Sequence, residues 1–427
     1  MAVYGVKHAI ESFLFAAAVA AAQFASAAVP YEGQTVPGEY EISTYAQLTN
    51  FTQTARSFAF SNSTITLTAD IDCGNNVLAG DRARLYDPST FCGTFDGAGH
   101  RIHNFNTAVQ KTRLEQNYTY NYTYGLAMFD IVRDGAVIKN LTLEGNVFDD
   151  LSWDENYYFH FNSPCAAAFA TYAQGANAVT FENCTFDGAV CFHGGAAAFV
   201  GRATRNDGDA PDSTVVTLTG CGTAPYTYIT ATTNTSSSIK SIAGGLVAEG
   251  EGIVATDCFF DGTVRGWSTA GGIVGRVLDS TLTRCSFNGW TDYYRVDANV
   301  MPSRGDGCGG IVGYSSNSVF RACSADTHVV WKTGVALPDG WWRRIATLNF
   351  VAAGGMAGLT AGESAFYDCV STSSVRCVRG LGGGFAGWTA GAETFSNCTS
   401  VVTIDEIEGN PYVSGGFAAS VAKPPET

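Results

Sequence analysis

The sequence is poor in charge, and most of its charged residues are acidic. Charged residues make up 15% of the 427, and 24 Lys and Arg stand against 39 Asp and Glu, which gives a formal net charge of −15. A nucleic-acid-binding protein needs a basic surface to offset the phosphates, and this chain has no basic stripe from which to build one. We therefore expect no nucleic-acid partner.

Several motifs of catalytic and metal-binding proteins are also missing. No Cys-x-x-Cys pair occurs among the 13 cysteines, which argues against a zinc ribbon or a thioredoxin-like redox site. His-Glu-x-x-His, the helical zinc motif of metalloproteases, and Gly-x-Ser-x-Gly, the nucleophile turn of serine hydrolases, do not occur either. The sequence thus predicts no catalytic residues, no metal site and no cofactor.

The N-terminus contains the one prominent apolar run. Residues 1–27 are typical of a secretory signal peptide, with Lys7 before an apolar stretch and Ala25-Ser26-Ala27 as a cleavage site. No other segment approaches the length of a membrane span. We predict an exported chain, secreted or at the cell surface, without a transmembrane segment.

A short frame recurs eight times along the rest of the chain: one large or apolar residue, two variable residues, then Cys or Leu. Its last positions are Leu141, Cys184, Cys221, Cys258, Cys285, Cys323, Cys369 and Cys398. Upstream of most copies lies a glycine-rich apolar tetrad, such as Gly272-Ile273-Val274-Gly275. Three tetrads begin 13 residues before their cysteine and two begin 14 residues before it. A constant unit with variable connections predicts a stack of like units with loop insertions.

The repeat predicts strands rather than helices. The cysteine and the residue two positions later are both apolar, as in Cys258 and Phe260, which is the period of a strand. The apolar residue three before the cysteine breaks this period, so a corner or bulge lies between them. Glycine-rich strands without a helical pattern exclude the α-solenoids. We predict an all-β fold, a right-handed parallel β-helix of about eight or nine coils, roughly 40 Å long at about 4.8 Å per coil.

The cysteines of the frame then form an interior column. Stacked side chains about 4.8 Å apart keep their Cβ atoms slightly beyond disulfide range, so small buried hydrophobes explain the column better than a metal or redox role. The column consists of Cys184, Cys221, Cys258, Cys285, Cys323, Cys369 and Cys398. Outside it, Cys73 and Cys92 are the disulfide candidates in an oxidising compartment.

Three segments follow from these patterns: a signal peptide at 1–27, an N-terminal cap with the first strands at 28–110, and β-helix repeats with insertions at 111–427. Thr44 and Gln47 fit a helical capping box, and Leu48, Phe51 and Ala55 follow at helical spacing. This short helix is predicted to cover the first coil, which otherwise exposes unpaired strand edges.

The opening of the repeat region resembles a known family. The run LTADIDC…FCGTFDGAGHRIHNF, followed by GLAMFDIVRDGAVIKNLTLEGNV, is similar to bacterial surface proteins with GLUG-type repeats, and the likeness covers roughly residues 40–420. Such repeats are found in adhesin-like proteins and beside the protease domain of IgA1-specific metallopeptidases. The resemblance implies an exported β-helical scaffold and transfers no catalytic residue to this chain, which departs from the pattern by its cysteines and long inserts.

The insertions supply the distinctive surfaces. A flat aromatic ring beside polar groups can stack on the apolar face of a sugar ring, so aromatic residues of two inserts, 290–307 and 331–349, are candidates for ligand binding. They are Trp290, Tyr293, Tyr294, Trp331, Trp341 and Trp342. The alternative is that these loops fold back and their aromatic side chains pack against the solenoid.

The function predicted first is a non-enzymatic scaffold for adhesion or ligand binding, with extracellular glycans or surface proteins of a host or neighbour as partners. One alternative is a carbohydrate-active β-helix enzyme, such as a polysaccharide lyase or glycosidase, with carboxylates near Asp150 and Asp154 or around Asp209. Another is a passive stalk of a larger surface protein. A final coil left open would expose a sheet edge and predicts self-association there.

Overall fold

The chain winds through four sheets, here named A to D, whose strands pair in parallel. The computed structural model describes residues 28–76, 89–108, 127–148, 165–206, 208–210, 212–232, 241–295, 306–333, 351–377, 381–405, 413–415 and 417. The signal peptide predicted at 1–27 lies outside them.

Sheets A and B contain twelve and eleven strands in the described part of the chain. The strands of sheet A are Val29–Pro30, Glu39–Ile42, Thr64–Leu67, Thr94–Asp96, Val137–Lys139, Val179–Glu182, Val216–Thr219, Ile253–Thr256, Thr281–Thr283, Val319–Arg321, Ala365–Tyr367 and Thr394–Ser396. Those of sheet B are Ile71–Asp72, Arg101–Ala108, Thr142–Phe148, Thr185–His193, Gly222–Thr223, Thr227–Thr232, Phe259–Gly266, Ser286–Arg295, Ser324–Thr333, Val370–Cys377 and Thr399–Asp405.

Sheets C and D contain nine and eight strands in the same ranges. The strands of sheet C are Thr90–Phe91, Phe129–Arg133, Ala170–Gln174, Val200–Thr204, Val247–Glu251, Val274–Leu278, Val312–Ser316, Ala357–Gly362 and Ala386–Gly391. Those of sheet D are Cys165–Ala167, Gly195–Ala197, Ile242–Gly244, Thr269–Gly271, Asp306–Gly309, Val351–Gly354, Leu381–Gly383 and Val413–Gly415.

One coil passes through the sheets in the order D, C, A and B. Each of the nine described strands of sheet C is followed along the chain by a strand of sheet A and then by one of sheet B. The described chain therefore forms nine turns through sheets C, A and B, and in seven of them a described strand of sheet D comes first. The predicted parallel β-helix of eight or nine coils is confirmed.

The corner between sheets A and B explains the spacing of the repeat. The residue just before each column cysteine has left-handed backbone, with φ of 50° at Asn183, 54° at Asp257 and 51° at Arg284. A single residue in this region turns the chain sharply, and Asn and Asp tolerate it better than most residues. The corner predicted between the apolar residue and the cysteine is thus one left-handed residue.

The two glycines of the tetrad allow sheets D and C to fold against each other. A Cβ on Gly272, at the D–C corner, would lie 2.3 Å from the Phe287 ring across the core. A Cβ on Gly275 would lie 2.6 Å from the backbone oxygen of Ala243 in sheet D. Between them Ile273 and Val274 are buried in the core. The tetrad is therefore a packing element, with glycine where backbone or a ring lies too close for a side chain.

The column cysteines lie directly after the A–B corner, and all but one are buried. Cys398, in the last coil, is half-buried. The thiols are free and donate to backbone oxygens, as from Cys258 Sγ to the Thr256 oxygen at 3.3 Å. Hydrogen bonds with the Cys184 and Cys258 thiols, together with burial, raise the pKa of the Cys221 thiol. The column is therefore a set of small side chains that pack in the core and donate hydrogen bonds to the backbone.

Helix α1, Tyr45–Thr54, covers the first coils as predicted. The Thr44 hydroxyl accepts a hydrogen bond from the Gln47 amide at 3.2 Å, and the Gln47 side chain accepts one from the Ser43 amide at 2.9 Å. Phe51 is fully buried and meets the Tyr31 and Phe91 rings edge-on. The helix therefore closes the N-terminal end of the core with aromatic packing.

The predicted Cys73–Cys92 disulfide is not formed in this structure, which contains both as free thiols. Cys73 follows a strand of sheet B and Cys92 follows a strand of sheet C, so they belong to different faces of the solenoid. Burial raises the pKa of the Cys73 thiol to about 12. Sequence separation alone could not indicate on which face each cysteine lies.

Candidate functional site

The outer face of sheet B has the longest strands of the described chain. Two neighbours, Ser286–Arg295 and Ser324–Thr333, contain ten residues each. Along the first, Phe287 and Thr291 are buried, and Asn288 and Trp290 between them are exposed. Because the strands are parallel and in register, outward residues form columns along the solenoid axis, about 4.8 Å apart from coil to coil.

The centre of this face is an exposed aromatic pair. Trp290 lies opposite His328 in the register of the two strands, and their ring centroids are 4.5 Å apart with planes inclined by 29°. Trp290 is 51% exposed, although most large apolar side chains of the described chain are buried. An indole held by a neighbouring ring on a sheet offers a flat apolar surface in a fixed position.

One side of the aromatic pair is lined by carboxylate and amide groups. Asp261, Asn288 and Asp326 occupy one column, each two residues before Thr263, Trp290 and His328 respectively. Asn288 and Asp326 are exposed, and no described residue forms a hydrogen bond with either side chain. These groups are available to bind hydroxyl or amide groups of a ligand.

On the other side of the aromatic pair lies a network of ion-pair and hydrogen-bond contacts. Arg265 Nη2 lies 2.9 Å from Asp292 Oδ2, and Arg265 Nη1 donates to the Tyr228 hydroxyl at 3.1 Å. The Thr230 hydroxyl also donates to the Tyr228 oxygen, at 3.2 Å. This network holds the Tyr228 side chain in place. In the register Tyr228 lies opposite Thr263, which in turn lies opposite Trp290, so the three residues belong to one column, here called the Trp290 column.

We call these outward residues the Trp290 patch. It comprises Tyr228, Asp261, Thr263, Arg265, Asn288, Trp290, Asp292, Asp326 and His328.

The predicted aromatic candidates fall into two groups. Tyr293, Tyr294 and Trp331 lie on the same two strands as Trp290, and Tyr293 is paired with Trp331 in the register. Trp341 and Trp342 lie outside the described residues. The prediction that Trp290 and Trp331 belong to loop insertions is wrong, because the strands continue to Arg295 and Thr333. The strands of sheet B extend past the repeated unit, and the spacing of the repeat does not indicate this extension.

A charged row on sheet C was not found from the sequence. Glu249 accepts hydrogen bonds from Arg202 Nε at 3.1 Å and from Arg276 Nη1 at 3.0 Å, and Arg276 lies 5.2 Å over the centroid of the Tyr314 ring. The residues are one coil apart in the register but 27 or 47 positions apart in sequence. Glu249 thus joins two guanidiniums from the coils on either side of it, which indicates a structural role.

The insert after Val200–Thr204 folds back onto the solenoid. The Arg205 side chain, 9% exposed, lies 3.1 Å from Asp279 Oδ2 and donates from Nε to the Ser213 backbone oxygen at 3.1 Å. Asp209 accepts a hydrogen bond from the Asn206 amide of its own loop at 2.8 Å. This insert therefore folds back onto the solenoid, and the carboxylates among its described residues form no pair with catalytic geometry. The cluster from Asp149 to Glu155 lies outside the described residues.

The described ranges contain no group of three or more His, Cys, Asp or Glu side chains placed to bind a metal ion. Within the same ranges, no helix has the length and apolar character needed to cross a membrane.

Comparison with known proteins gives limited likenesses. No protein-family model matches the chain, and no curated protein matches it. A crystal structure described as a "putative immunoglobulin A1 protease" from Bacteroides ovatus is 15% identical, with 92% of this chain and 90% of that chain covered and a TM-score of 0.46. A solved structure named IgA1 Protease is 12% identical, with 90% of this chain but 20% of that chain covered and a TM-score of 0.34. At these levels of similarity neither structure informs the activity of this chain, and the resemblance to GLUG-type repeats stays a prediction.

Proposed function

We propose that this chain is a non-enzymatic β-helix scaffold, secreted or displayed at the cell surface, that binds carbohydrate on the outer face of sheet B. The observation that carries the proposal is the exposed indole of Trp290 stacked on His328. A large apolar ring that stays half exposed on a regular sheet loses the free energy that burial would provide. Such a residue is more readily explained by a ligand than by the stability of the fold.

The surroundings of the indole favour a sugar as this ligand. Sugar rings have an apolar C–H face and a rim of hydroxyl groups, so they bind flat aromatic surfaces that are flanked by hydrogen-bonding side chains. In the Trp290 patch the flanking groups are Asn288 and Asp326 on one side and the Arg265–Asp292 pair on the other. The backbone that carries these side chains is already fixed in the strands of sheet B, so the protein loses little conformational entropy when a ligand binds.

The patch has no arrangement that points to turnover. Asp292 is held by Arg265, and Asp261 and Asp326 are separated in the register by Asn288. A glycosidase needs two carboxyl groups on opposite sides of one glycosidic bond, with one of them kept protonated. Binding without cleavage is therefore the function that the geometry supports best.

The proposal is tested by passing the purified protein over a panel of immobilised polysaccharides. Retained protein and newly released sugar ends are measured in the same samples. We expect retention on at least one polysaccharide without release, and an affinity lowered at least about tenfold by Trp290→Ala. The matched control is Tyr367→Ala, which removes an aromatic ring from the outer face of sheet A, where Arg321 lies 4.5 Å from its centroid.

Three results would oppose the proposal. Release of sugar ends would identify an enzyme. Retention that survives Trp290→Ala would place the binding site elsewhere. A lack of retention on every polysaccharide would favour a protein ligand or a passive stalk.

A further inference from the structure

The Trp290 column continues along the solenoid beyond the aromatic pair. In the register Tyr228 lies opposite Thr263, Thr263 opposite Trp290, Trp290 opposite His328 and His328 opposite Ser374. At about 4.8 Å per coil, this straight track is roughly 19 Å long. The Trp290 and His328 rings stand on successive coils and the Tyr228 ring stands two coils before Trp290, so the aromatic residues are aligned along the axis rather than along a strand.

The border of the track carries an excess of negative charge. Asp261 and Asp326 line one side, and further along the same sheet Asp187 lies opposite Glu144, which forms an ion pair with Arg101 at 3.4 Å. Reduced contact with water and repulsion by Glu144 raise the pKa of the Asp187 carboxyl. Arg265 on the other side is neutralised by Asp292, and Arg376 lies at the C-terminal border beside Ser374. A polyanion on this track would meet the carboxylates of Asp261 and Asp326 along one edge, and a polycation would meet the guanidinium of Arg376 at the other.

We infer that the ligand is a neutral, linear polysaccharide that lies parallel to the solenoid axis on the track from Tyr228 to Ser374. This inference rests on the proposed function and adds the ligand's charge class and direction. One face of the indole is covered by His328, so its exposed edge contacts the apolar parts of the sugars, together with the Tyr228 ring. Asn288 and the carboxylates of Asp261 and Asp326 accept hydrogen bonds from the hydroxyl groups along one edge of the chain.

The direction of the ligand is tested by adding an indole to the track. Ser374 lies on the track one coil beyond His328, and Val330 lies two residues from His328 along its strand, off the track. We expect Ser374→Trp to bind a neutral linear hexasaccharide roughly two- to tenfold tighter than the wild type, and Val330→Trp to bind it unchanged. Tighter binding by Val330→Trp alone would overturn the axial direction.

The charge class is tested with soluble neutral, uronic-acid-containing and amino-bearing hexasaccharides in low and high salt. We expect the neutral one to bind best with an affinity that salt does not alter, because screening acts on charged ligands. The double variant Asp261→Asn, Asp326→Asn should bind the acidic hexasaccharide roughly two- to fivefold more tightly than the wild type does. Preferential, salt-dependent binding of either charged hexasaccharide would overturn the inference while leaving carbohydrate binding intact. If no hexasaccharide or polysaccharide binds, the proposed function itself is wrong.

Discussion

The imidazole of His328 lies against the indole of Trp290, 4.5 Å from centroid to centroid, on the neighbouring strand of sheet B. One face of the indole is thereby supported, while about half of its surface, 51%, stays exposed. Aromatic pairs in such offset arrangements are worth roughly 0.5–1.5 kcal/mol beyond the area they bury. The contact therefore restricts the orientation of the indole.

This pair gives a prediction about affinity. His328→Ala removes the support without removing the binding ring, so affinity for the glycan should fall roughly two- to tenfold, less than for Trp290→Ala. His328→Phe keeps a stacking ring and should restore most of the loss. Binding measured by calorimetry for the three variants checks this order. Equal affinities of wild type and His328→Ala would show that the imidazole does not position the indole.

The glycines of the tetrads, among them Gly355-Met356-Ala357-Gly358, give a prediction about stability. A Cβ on Gly358 would lie 2.3 Å from the backbone nitrogen of Cys308 in sheet D. Gly358→Ala should therefore force sheets C and D apart and lower the free energy of unfolding by about 1–3 kcal/mol. Denaturant unfolding checks this, with Thr256→Ala on the outer face of sheet A as the control. A destabilisation no larger than that of the control would contradict the packing role of the tetrad.

Asp96 gives a prediction about acid stability. Burial opposes ionisation of its carboxyl, but hydrogen bonds from the Ala98 amide and Asn140 side chain and the Lys139 charge outweigh burial, so its pKa is lowered. A lowered folded-state pKa stabilises the fold above the unfolded-state value of about 3.9, and this contribution is lost as pH falls through the folded-state pKa.

The free energy of unfolding should therefore decrease below about pH 4. Asp96→Asn should make this decrease smaller, and it should lower the free energy of unfolding at pH 7 by about 1 kcal/mol. Thermal unfolding between pH 7 and pH 2 measures both effects, and Asp326→Asn, at an exposed site, serves as the control. Parallel curves for wild type and Asp96→Asn would show that Asp96 does not contribute to acid sensitivity.

The cysteine column gives a prediction about reactivity. Cys221, Cys258, Cys285 and Cys323 are buried in the core, and hydrogen bonds with the neighbouring thiols raise the pKa of the Cys285 thiol. Because a reagent cannot reach a buried sulfur, these thiols should react with a disulfide reagent at neutral pH roughly 100-fold more slowly than in denaturant. Fast reaction of the folded protein at Cys285, located by mass spectrometry, would contradict the buried column.

Much of the fold was predictable because its repeat is local. The cysteine column and the tetrads recur at nearly constant spacing, so one coil predicts the next. The sequence could not indicate how closely sheet D packs against sheet C. This packing depends on contacts between coils, such as that of Gly275 with the backbone oxygen of Ala243 on the preceding coil.

The candidate site was predictable in part. Trp290 stands out in the sequence as an aromatic residue beside an insert, but His328 is 38 positions later and lacks any local signal. Their contact depends on how many residues separate the two coils, which differs from repeat to repeat. The Arg202–Glu249–Arg276 row could not be predicted for the same reason, because its residues come from three coils separated by different numbers of residues.

The most direct test of the central claim is the affinity of wild type and Trp290→Ala for the polysaccharide that the wild type retains best, with Tyr367→Ala as the folded control. Thermal unfolding of each protein shows that the variants keep the solenoid. The account predicts at least about a tenfold loss for Trp290→Ala, no loss for Tyr367→Ala and no released sugar ends with any of the three. Unchanged affinity of a folded Trp290→Ala protein would contradict binding on the outer face of sheet B.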